Sequence, residues 1–234
     1  MINMSKRIAA MALFLLVLFV FPVSGAFAAG NLVQNPGFEE GTNDAPSNWA
    51  RDAWIPGDDS GRISVQSEEV HSGSKAAIIE NLQPNHLKWV QNIKAQAGSY
   101  YKISGWVKVV STEGDGTGAD ILAVGIGSGY PNVLDTDGEW KYLEFYGQTG
   151  PEQTSFGIGA SLGGYSSLIK GKAYFDDLSV ELLDAAPVGK DVISLDSGAA
   201  VQGANSQEPA AAPKVSPAKL LLISTLFTIF FAYL

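Results

Sequence analysis

The segment Tyr100–Val109 reads YYKISGWVKV, and its large apolar residues alternate with small or charged ones. Successive side chains of a β-strand point to opposite faces, so strict alternation indicates a strand with one buried and one wet face. The same period of two recurs in Trp140–Phe145 and in Ala173–Leu182. These three segments therefore predict strands of an antiparallel sheet.

Shorter segments of the same kind lie between Asn31 and Leu183, where clusters of Gly, Pro, Asn and Asp separate them. They are residues 63–66, 76–80, 89–93, 121–127 and 155–162. About eight or nine short strands without a convincing amphipathic helix are typical of β-sandwiches. The sequence therefore predicts an all-β fold, an antiparallel β-sandwich of the jelly-roll type.

The composition excludes several classes of protein. The chain has 234 residues, with 15 Lys and Arg against 24 Asp and Glu, and a net charge of −9. Nucleic-acid binding needs clustered positive charge, so no nucleic-acid partner is expected. The chain has no cysteine and two histidines, which leaves no disulfide, no thiolate metal site and no basis for a multi-histidine metal site.

The N-terminus has the pattern of a secretory signal peptide. Lys6 and Arg7 precede an apolar run over residues 8–21, and a small-residue stretch ends at Ala28. A basic start, a short apolar core and an Ala-x-Ala site direct export, so residues 1–28 are predicted to be the signal peptide. We therefore expect an exported domain.

Residues 219–234 are predicted to be a hydrophobic membrane segment, since Leu220–Leu234 is apolar except for Ser224, Thr225 and Thr228. A helix over Leu220–Leu234 would reach only about 22 Å, against a hydrocarbon core of about 30 Å. Two interpretations remain open: a transmembrane segment that is truncated here and continues in a longer polypeptide, or a complete GPI-anchor signal. Either interpretation places the domain at the extracellular face of the cell membrane.

Residues 185–218 are rich in Ala, Pro, Gly and Ser and lack apolar periodicity, which predicts a linker. The folded domain is accordingly expected to cover residues 29–184. It is expected to be monomeric.

Ordered motifs run through this domain. They are Asn31–Gly41 (NLVQNPGFEEG), Pro46–Trp49 (PSNW), His71–Ala76 (HSGSKA), Trp89–Gln91 (WVQ), Tyr100–Lys108 (YYKISGWVK), Asp137–Trp140 (DGEW) and Tyr174–Val180 (YFDDLSV). In this order they resemble the carbohydrate-binding modules of the family 4/9/16/22 type, the CenC-like modules, which share the jelly-roll sandwich of galactose-binding-like domains. The resemblance covers residues 31–183.

The resemblance implies a structural calcium ion, which takes hard oxygen ligands. The matching positions for its ligands are Gly37, Glu39, Ser72, Lys75 and Asp176. Glu39 and Asp176 would bind through carboxylates and the other three through backbone carbonyls. Such an ion would join the first strand to the last. Asp177 is expected to point away from Asp176, because neighbours on a strand alternate.

Sugar binding needs flat apolar faces for pyranose rings and a few polar groups for hydroxyls. The candidates are Trp54, Trp89, Gln91, Tyr130 and Tyr165. Trp89 has a position where members of the resembled family commonly place an aromatic of the cleft, and Gln91 shares its face by alternation. Tyr130 and Tyr165 lie on Gly-flanked segments, and Trp54 lies in an acidic loop. Together these residues predict an aromatic-lined cleft.

The remaining tryptophans are Trp49, Trp106 and Trp140, and each lies in one of the strand motifs. Because they alternate with apolar neighbours, we expect them in the core.

No catalytic role is expected for this stretch. The adjacent acids, such as those at 176 and 177, point apart on a strand, whereas glycoside hydrolysis needs carboxylates that face each other. The sequence thus predicts a non-catalytic module that binds a poly- or oligosaccharide or a glycoconjugate. Two alternatives remain: a structural or adhesion domain that binds no sugar, and the accessory part of a longer, membrane-bound carbohydrate-active enzyme.

Overall fold

The computed structural model of the chain describes residues 30–196. The predicted signal peptide, the linker beyond residue 196 and the C-terminal apolar segment lie outside the described residues. Residues 30–196 contain strands and turns but no helix, so no helix in this range could span a membrane.

Residues 30–196 form short and long strands in the order expected from the alternating segments. The strands are β1 (Gly41–Thr42), β2 (Ala45–Pro46), β3 (Ala50–Ala53), β4 (Gly61–Gln66), β5 (Ala76–Asn85), β6 (Leu87–Lys94), β7 (Tyr100–Glu113), β8 (Ala119–Ala123), β9 (Asn132–Val133), β10 (Lys141–Gln148), β11 (Ser155–Leu162), β12 (Ile169–Leu183) and β13 (Val192–Ser194). The all-β prediction is confirmed for this part of the chain.

Two large sheets organise these strands. One has six strands in the order β13-β10-β7-β12-β5-β4, and the other has five in the order β3-β6-β11-β8-β9. Pairing within both is antiparallel except between β10 and β13, which run parallel. The strands β1 and β2 form a small separate hairpin sheet.

The two large sheets share one apolar core. Ile103 and Phe175 from the six-stranded sheet, and Ile121 and Ile158 from the five-stranded sheet, belong to the same buried cluster. At Gly105 a Cβ atom would lie 3.0 Å from a methyl group of Ile121, so the glycine allows close approach of the sheets. Each sheet consequently has an inner face in the core and an outer face.

The domain extends beyond the predicted boundary at residue 184. In the stretch predicted to be linker, β13 pairs with β10, and the Leu195 side chain is 2% exposed. Leu195 packs so closely on Gly147 that a Cβ there would lie 2.5 Å from a leucine methyl group. Leu195 and the partly buried Ile193 both anchor this edge, but the segment is too short to show a period, so its composition alone indicates a linker.

Replacing Leu195 by Ala should reduce the free energy of unfolding by about 2–5 kcal/mol, because it removes a buried side chain and leaves a cavity. Val188 is 98% exposed in the same stretch, so Val188→Ala should change the stability by less than about 0.5 kcal/mol. Denaturant unfolding of both variants measures the difference. Equal stability of the two would show that the 192–196 segment does not belong to the domain.

Candidate functional site

A row of polar side chains crosses the outer face of the five-stranded sheet. In the register of the paired strands, Asp52 lies opposite Lys88 and Lys88 opposite Ser161. Ser161 in turn lies opposite Asp120, and Asp120 opposite Asn132, so one line of residues crosses all five strands. In β6, β8 and β11 the neighbours of these residues along the strand point into the core, and the row therefore faces outward. The alternation of side chains places five hydrogen-bonding groups on one line.

The acid and base groups of this row differ in their partners. The Lys88 ammonium group lies 3.0 Å from Asp52, and its side chain is 12% exposed. Asp120 is 1% exposed, and its Oδ1 has no hydrogen-bond partner among the described residues. Burial raises the pKa of Asp120 well above its ordinary value, although a hydrogen bond with Ser161 and the charge of Lys88 act against this. Asp120 thus holds its proton to a higher pH than an ordinary aspartate, and one of its buried oxygens has no partner among the described residues.

His86 and Ser161 continue this polar network without forming a catalytic pair. His86 Nε2 lies 3.0 Å from Ser161 Oγ, and Ser161 donates a hydrogen bond to Gly163 O at 3.1 Å. Burial lowers the pKa of His86 to about 4, with a smaller contribution from Lys88, so the imidazole is neutral at pH 7. Ser161 is fully buried, and no described residue orients His86 through Nδ1. This differs from a Ser-His-Asp triad, in which an acid holds the histidine and the serine is open to substrate.

Two exposed aromatic rings lie beside the polar row. Trp54 and Tyr165 meet edge to face with ring centroids 5.3 Å apart, and they are 55% and 73% exposed. The backbone amide of Trp54 donates to His86 O at 3.0 Å, which holds the backbone of this residue next to the network. Tyr165 lies in the turn that follows β11, where the Gly164 and Ser167 backbones bond to each other. Two of the predicted sugar-binding residues are therefore brought together at one end of the sheet.

Tyr130 lies at the other side of the row and is half-buried. Its ring packs on Phe145, with centroids 5.6 Å apart, and its hydroxyl donates to Ile126 O at 2.9 Å. Burial raises the pKa of Tyr130 to about 12, and the charge of Asp120 adds to the effect. The ring stabilises the loop after β8 and is not an open stacking surface.

The predictions for Trp89 and Gln91 are corrected by the structure. Trp89 is 1% exposed inside the core, with the Arg51 guanidinium 5.6 Å from its ring centroid. Gln91 is buried too: it accepts a hydrogen bond from Gln34 N and donates to Gln34 O, both at 2.8 Å. The two residues do share a face, as the alternation predicted, but it is the inner face.

The tryptophans predicted for the core divide between two places. Trp49 is 7% exposed, and its ring stacks on Phe38 with centroids 4.8 Å apart. Trp106 and Trp140 are half-buried on the outer face of the six-stranded sheet, so the prediction of a core position was wrong for them. In β7 it is Ile103 and Val107 that point inward, and Trp106 has the opposite parity.

The residues that the resemblance implies for calcium lie close together. Asp176 accepts hydrogen bonds from the His71 and Ser72 amides at 2.9 and 3.1 Å. Glu39 accepts the Lys75 amide at 3.1 Å, and a Cβ at Gly37 would lie 3.3 Å from Asp176 Oδ1. The first motif, the 72–75 turn and the end of the domain therefore meet at one place.

Asp177 does not point away from this place, contrary to the expectation. It has φ +49° at a register shift in β12, and its carboxylate contacts His71 Nδ1 and Ser72 Oγ, both at 2.7 Å. Burial raises the pKa of Asp176 to about 6, and the charge of Asp177 contributes to the rise. Within residues 30–196 no three His, Asp or Glu side chains are placed to hold a metal ion by themselves, so backbone carbonyls would have to complete a calcium site.

Comparison with known proteins gives likenesses in structure. No protein-family model and no curated protein matches the chain. TmCBM61, solved in complex with β-1,4-galactotriose, is 20% identical, with a TM-score of 0.46 over 65% of this chain and 99% of that one. The CBM22-1 xylan-binding domain of Paenibacillus barcinonensis Xyn10C is 17% identical. Its TM-score is 0.39, over 68% of this chain and 98% of that one.

A Stig cyclase, Fisc from Fischerella sp. TAU in complex with (3Z)-3-(1-methyl-2-pyrrolidinylidene)-3H-indole, is also similar. It is 15% identical, with a TM-score of 0.46 over 67% of this chain and 98% of that one. The likeness to carbohydrate-binding modules that the sequence motifs indicated is thus found among solved structures, at the level of the fold. These likenesses assign no ligand to the chain.

Trp89→Ala should reduce the free energy of unfolding by about 3–5 kcal/mol, because it empties a large volume in the core. Trp54→Ala should change it by less than about 0.5 kcal/mol, since more than half of that side chain is in solvent. Thermal or denaturant unfolding distinguishes the two. A stability loss at Trp54 and none at Trp89 would reverse the assignment of the two rings.

Proposed function

We propose that residues 30–196 form a carbohydrate-binding module whose ligand, a poly- or oligosaccharide, binds on the outer face of the five-stranded sheet. The observation that carries this proposal is the exposed Trp54–Tyr165 pair next to the polar row. Flat rings beside convergent hydrogen-bonding groups suit a pyranose, which has apolar faces and a rim of hydroxyls.

The floor of the proposed cleft suits a flat ligand. Next to the polar row, Val90 pairs with Gly159 and Gly159 with Leu122, which makes an apolar strip with a glycine at its centre. A Cβ at Gly159 would lie 3.4 Å from side-chain atoms of both Val90 and Leu122. The absent side chain keeps the strip low, and Val90 and Leu122 are only 9% and 4% exposed, so a sugar would rest mainly on the exposed rings beside the strip.

The polar row supplies groups of both kinds for sugar hydroxyls. The half-exposed carboxylate of Asp52 accepts a hydrogen bond, and Lys88 donates from its ion pair with Asp52, whereas Asp120 lies buried beneath the face. Hydrogen bonds to charged groups are stronger than neutral ones, so these residues are expected to set the orientation of the sugar.

A double variant, Trp54→Ala with Tyr165→Ala, should lower the affinity for the bound glycan at least tenfold (about 1.4 kcal/mol), because both stacking surfaces are lost. Isothermal titration with galactotriose and xylo-oligosaccharides, after a glycan-array screen, measures the effect on the full chain in detergent micelles. Trp54→Phe with Tyr165→Phe retains both rings and is the matched control. Absence of binding to any glycan, or wild-type affinity of the alanine variant, would contradict the proposed cleft and favour a purely structural domain.

We further propose that the module is exported and tethered at the outer face of the membrane. The support comes from the sequence: the signal-peptide pattern over residues 1–28 and the largely apolar run Leu220–Leu234. A tether would keep the module at the cell surface where polysaccharides and glycoconjugates are found.

We also propose a structural calcium ion held by Glu39, Asp176 and backbone carbonyls of Gly37, Ser72 and Lys75. The clustering of these residues and the two carboxylates fit the ligand preference of calcium. Each carboxylate has lone pairs beyond those that the turn amides use. The ion would offset the repulsion between buried Asp176 and its neighbour Asp177.

Removal of calcium with EDTA should lower the thermal midpoint of the wild type by about 5–10 °C, the shift expected when a ligand that saturates the native state is withdrawn. Glu39→Gln should have a lowered midpoint that no longer responds to EDTA. Glu40→Gln changes the neighbouring, exposed acid and should behave as the wild type. A midpoint of the wild type that EDTA leaves unchanged would contradict the calcium proposal.

A further inference from the structure

A second cluster of rings lies on the outer face of the six-stranded sheet, remote from the proposed cleft. His71 stacks on Trp106 with centroids 3.9 Å apart and meets Trp140 edge on at 5.6 Å. Tyr142, opposite Trp106 in the register of β7 and β10, completes the cluster at 5.4 Å and is 42% exposed. We call His71, Trp106, Trp140 and Tyr142 the distal aromatic surface.

This surface carries polar groups that the fold does not use. His71 Nδ1 is held by Asp177 Oδ2 at 2.7 Å, which fixes the ring, while no described residue bonds to Nε2. The indole N–H of Trp140 is buried and has no partner in residues 30–196. A buried N–H without a partner costs about 1–3 kcal/mol unless something outside the described chain satisfies it. The indole N–H of the core residue Trp89 is also buried without a partner, so it is the oriented imidazole next to flat rings that suits a hydroxyl.

The charges around the distal aromatic surface are paired within the domain. Lys108 bonds to Glu69 at 2.8 Å, Lys102 lies 3.9 Å from Glu181, and Asp177 is paired with His71. The two lysines beside the rings are thus paired with acids of the domain, and the Lys102 ammonium group also lies 5.8 Å from the Tyr142 ring centroid. Because both lysines are paired, neither is left as a free positive charge for an anionic lipid or a nucleic acid, and the rings and hydrogen-bonding groups suit an uncharged polyhydroxylated molecule.

We propose that the distal aromatic surface is a second saccharide-binding site, separate from the cleft on the five-stranded sheet. The ligand is a neutral saccharide that packs against the exposed part of the Tyr142 ring, beside the Lys102 ammonium group, and bonds through its hydroxyls to His71 Nε2. The proposal shares only its ligand class with the proposed function, because the two surfaces lie on different sheets. With sites on opposite faces of the sandwich, one domain can join two polysaccharide chains.

The five tryptophans allow a direct test. Labelling of the full chain with 5-fluorotryptophan gives one fluorine resonance per residue, and Trp→Phe variants assign them. Titration with galactotriose and with xylo-oligosaccharides, in detergent micelles, should shift the resonances of Trp106 and Trp140. Trp49 and Trp89 are buried in the core and should stay unchanged as internal controls.

Tyr142→Ala should abolish the shifts of Trp106 and Trp140 and leave the thermal midpoint and the shift of Trp54 as in the wild type. Val110→Ala removes another exposed side chain of β7 outside the cluster, and it should retain all shifts.

The other results separate this inference from the proposed function. A shift of the Trp54 resonance alone would overturn the second site and support the cleft. Shifts of the Trp106 and Trp140 resonances without one at Trp54 would support the second site and contradict the cleft. Shifts at Trp49 and Trp89 as large as those at Trp106 and Trp140 would indicate a global change and overturn the second site. Shifts of Trp106 and Trp140 that depend on protein concentration in the absence of sugar would also overturn it. Absence of any shift with either probe would contradict both sites.

Discussion

The strict alternation of side chains along paired strands is the constraint on which the rest of this domain depends. β7 lies between β10 and β12, and it sends Ile103 and Val107 inward while Trp106 and Lys108 point outward. Because the period is two, the choice of inner face for one strand fixes that of every strand paired with it. The same rule places the polar row on a single line across the five-stranded sheet, so core and candidate site follow from one register.

The sequence indicated the strands well and their inner faces less well. Alternation identified the long strands and the common face of Trp89 and Gln91, but apolar residues occur on both faces of β6 and β7. Which face is buried depends on the sheet packed opposite, and that sheet comes from distant parts of the chain. The sequence therefore predicts a ligand-facing Trp89 and a core position for Trp106, whereas Trp89 points inward and Trp106 outward. Trp54 and Tyr165 lie in loops, so predicting that they are exposed does not depend on which face of a strand is buried.

A local break in the alternation explains another difference. In β12, Ala173 and Phe175 point inward before the register shift, and Leu178 and Val180 point inward after it. The change of parity falls at Asp177, whose positive φ is tolerated by a short polar side chain that bonds locally. The bulge turns both acids of the last motif toward the 71–72 turn. Nothing in the apolar pattern marks such a bulge, so the sequence predicted opposite directions for the two acids.

Asp120 shows how the candidate site and the stability of the fold oppose each other. A buried carboxyl oxygen without a partner lowers stability by about 1–3 kcal/mol, and an apolar residue of similar size at this position in β8 would avoid that loss. Each of its neighbours in the row, Ser161 and Lys88, is already bonded elsewhere. Local rules are broken at functional sites more often than in the core, since a satisfied group has nothing left with which to bind. Asn81 Oδ1 and Trp89 Nε1 are likewise buried without a partner among residues 30–196, so the Asp120 oxygen adds to the exposed Trp54–Tyr165 pair and does not by itself identify the functional face.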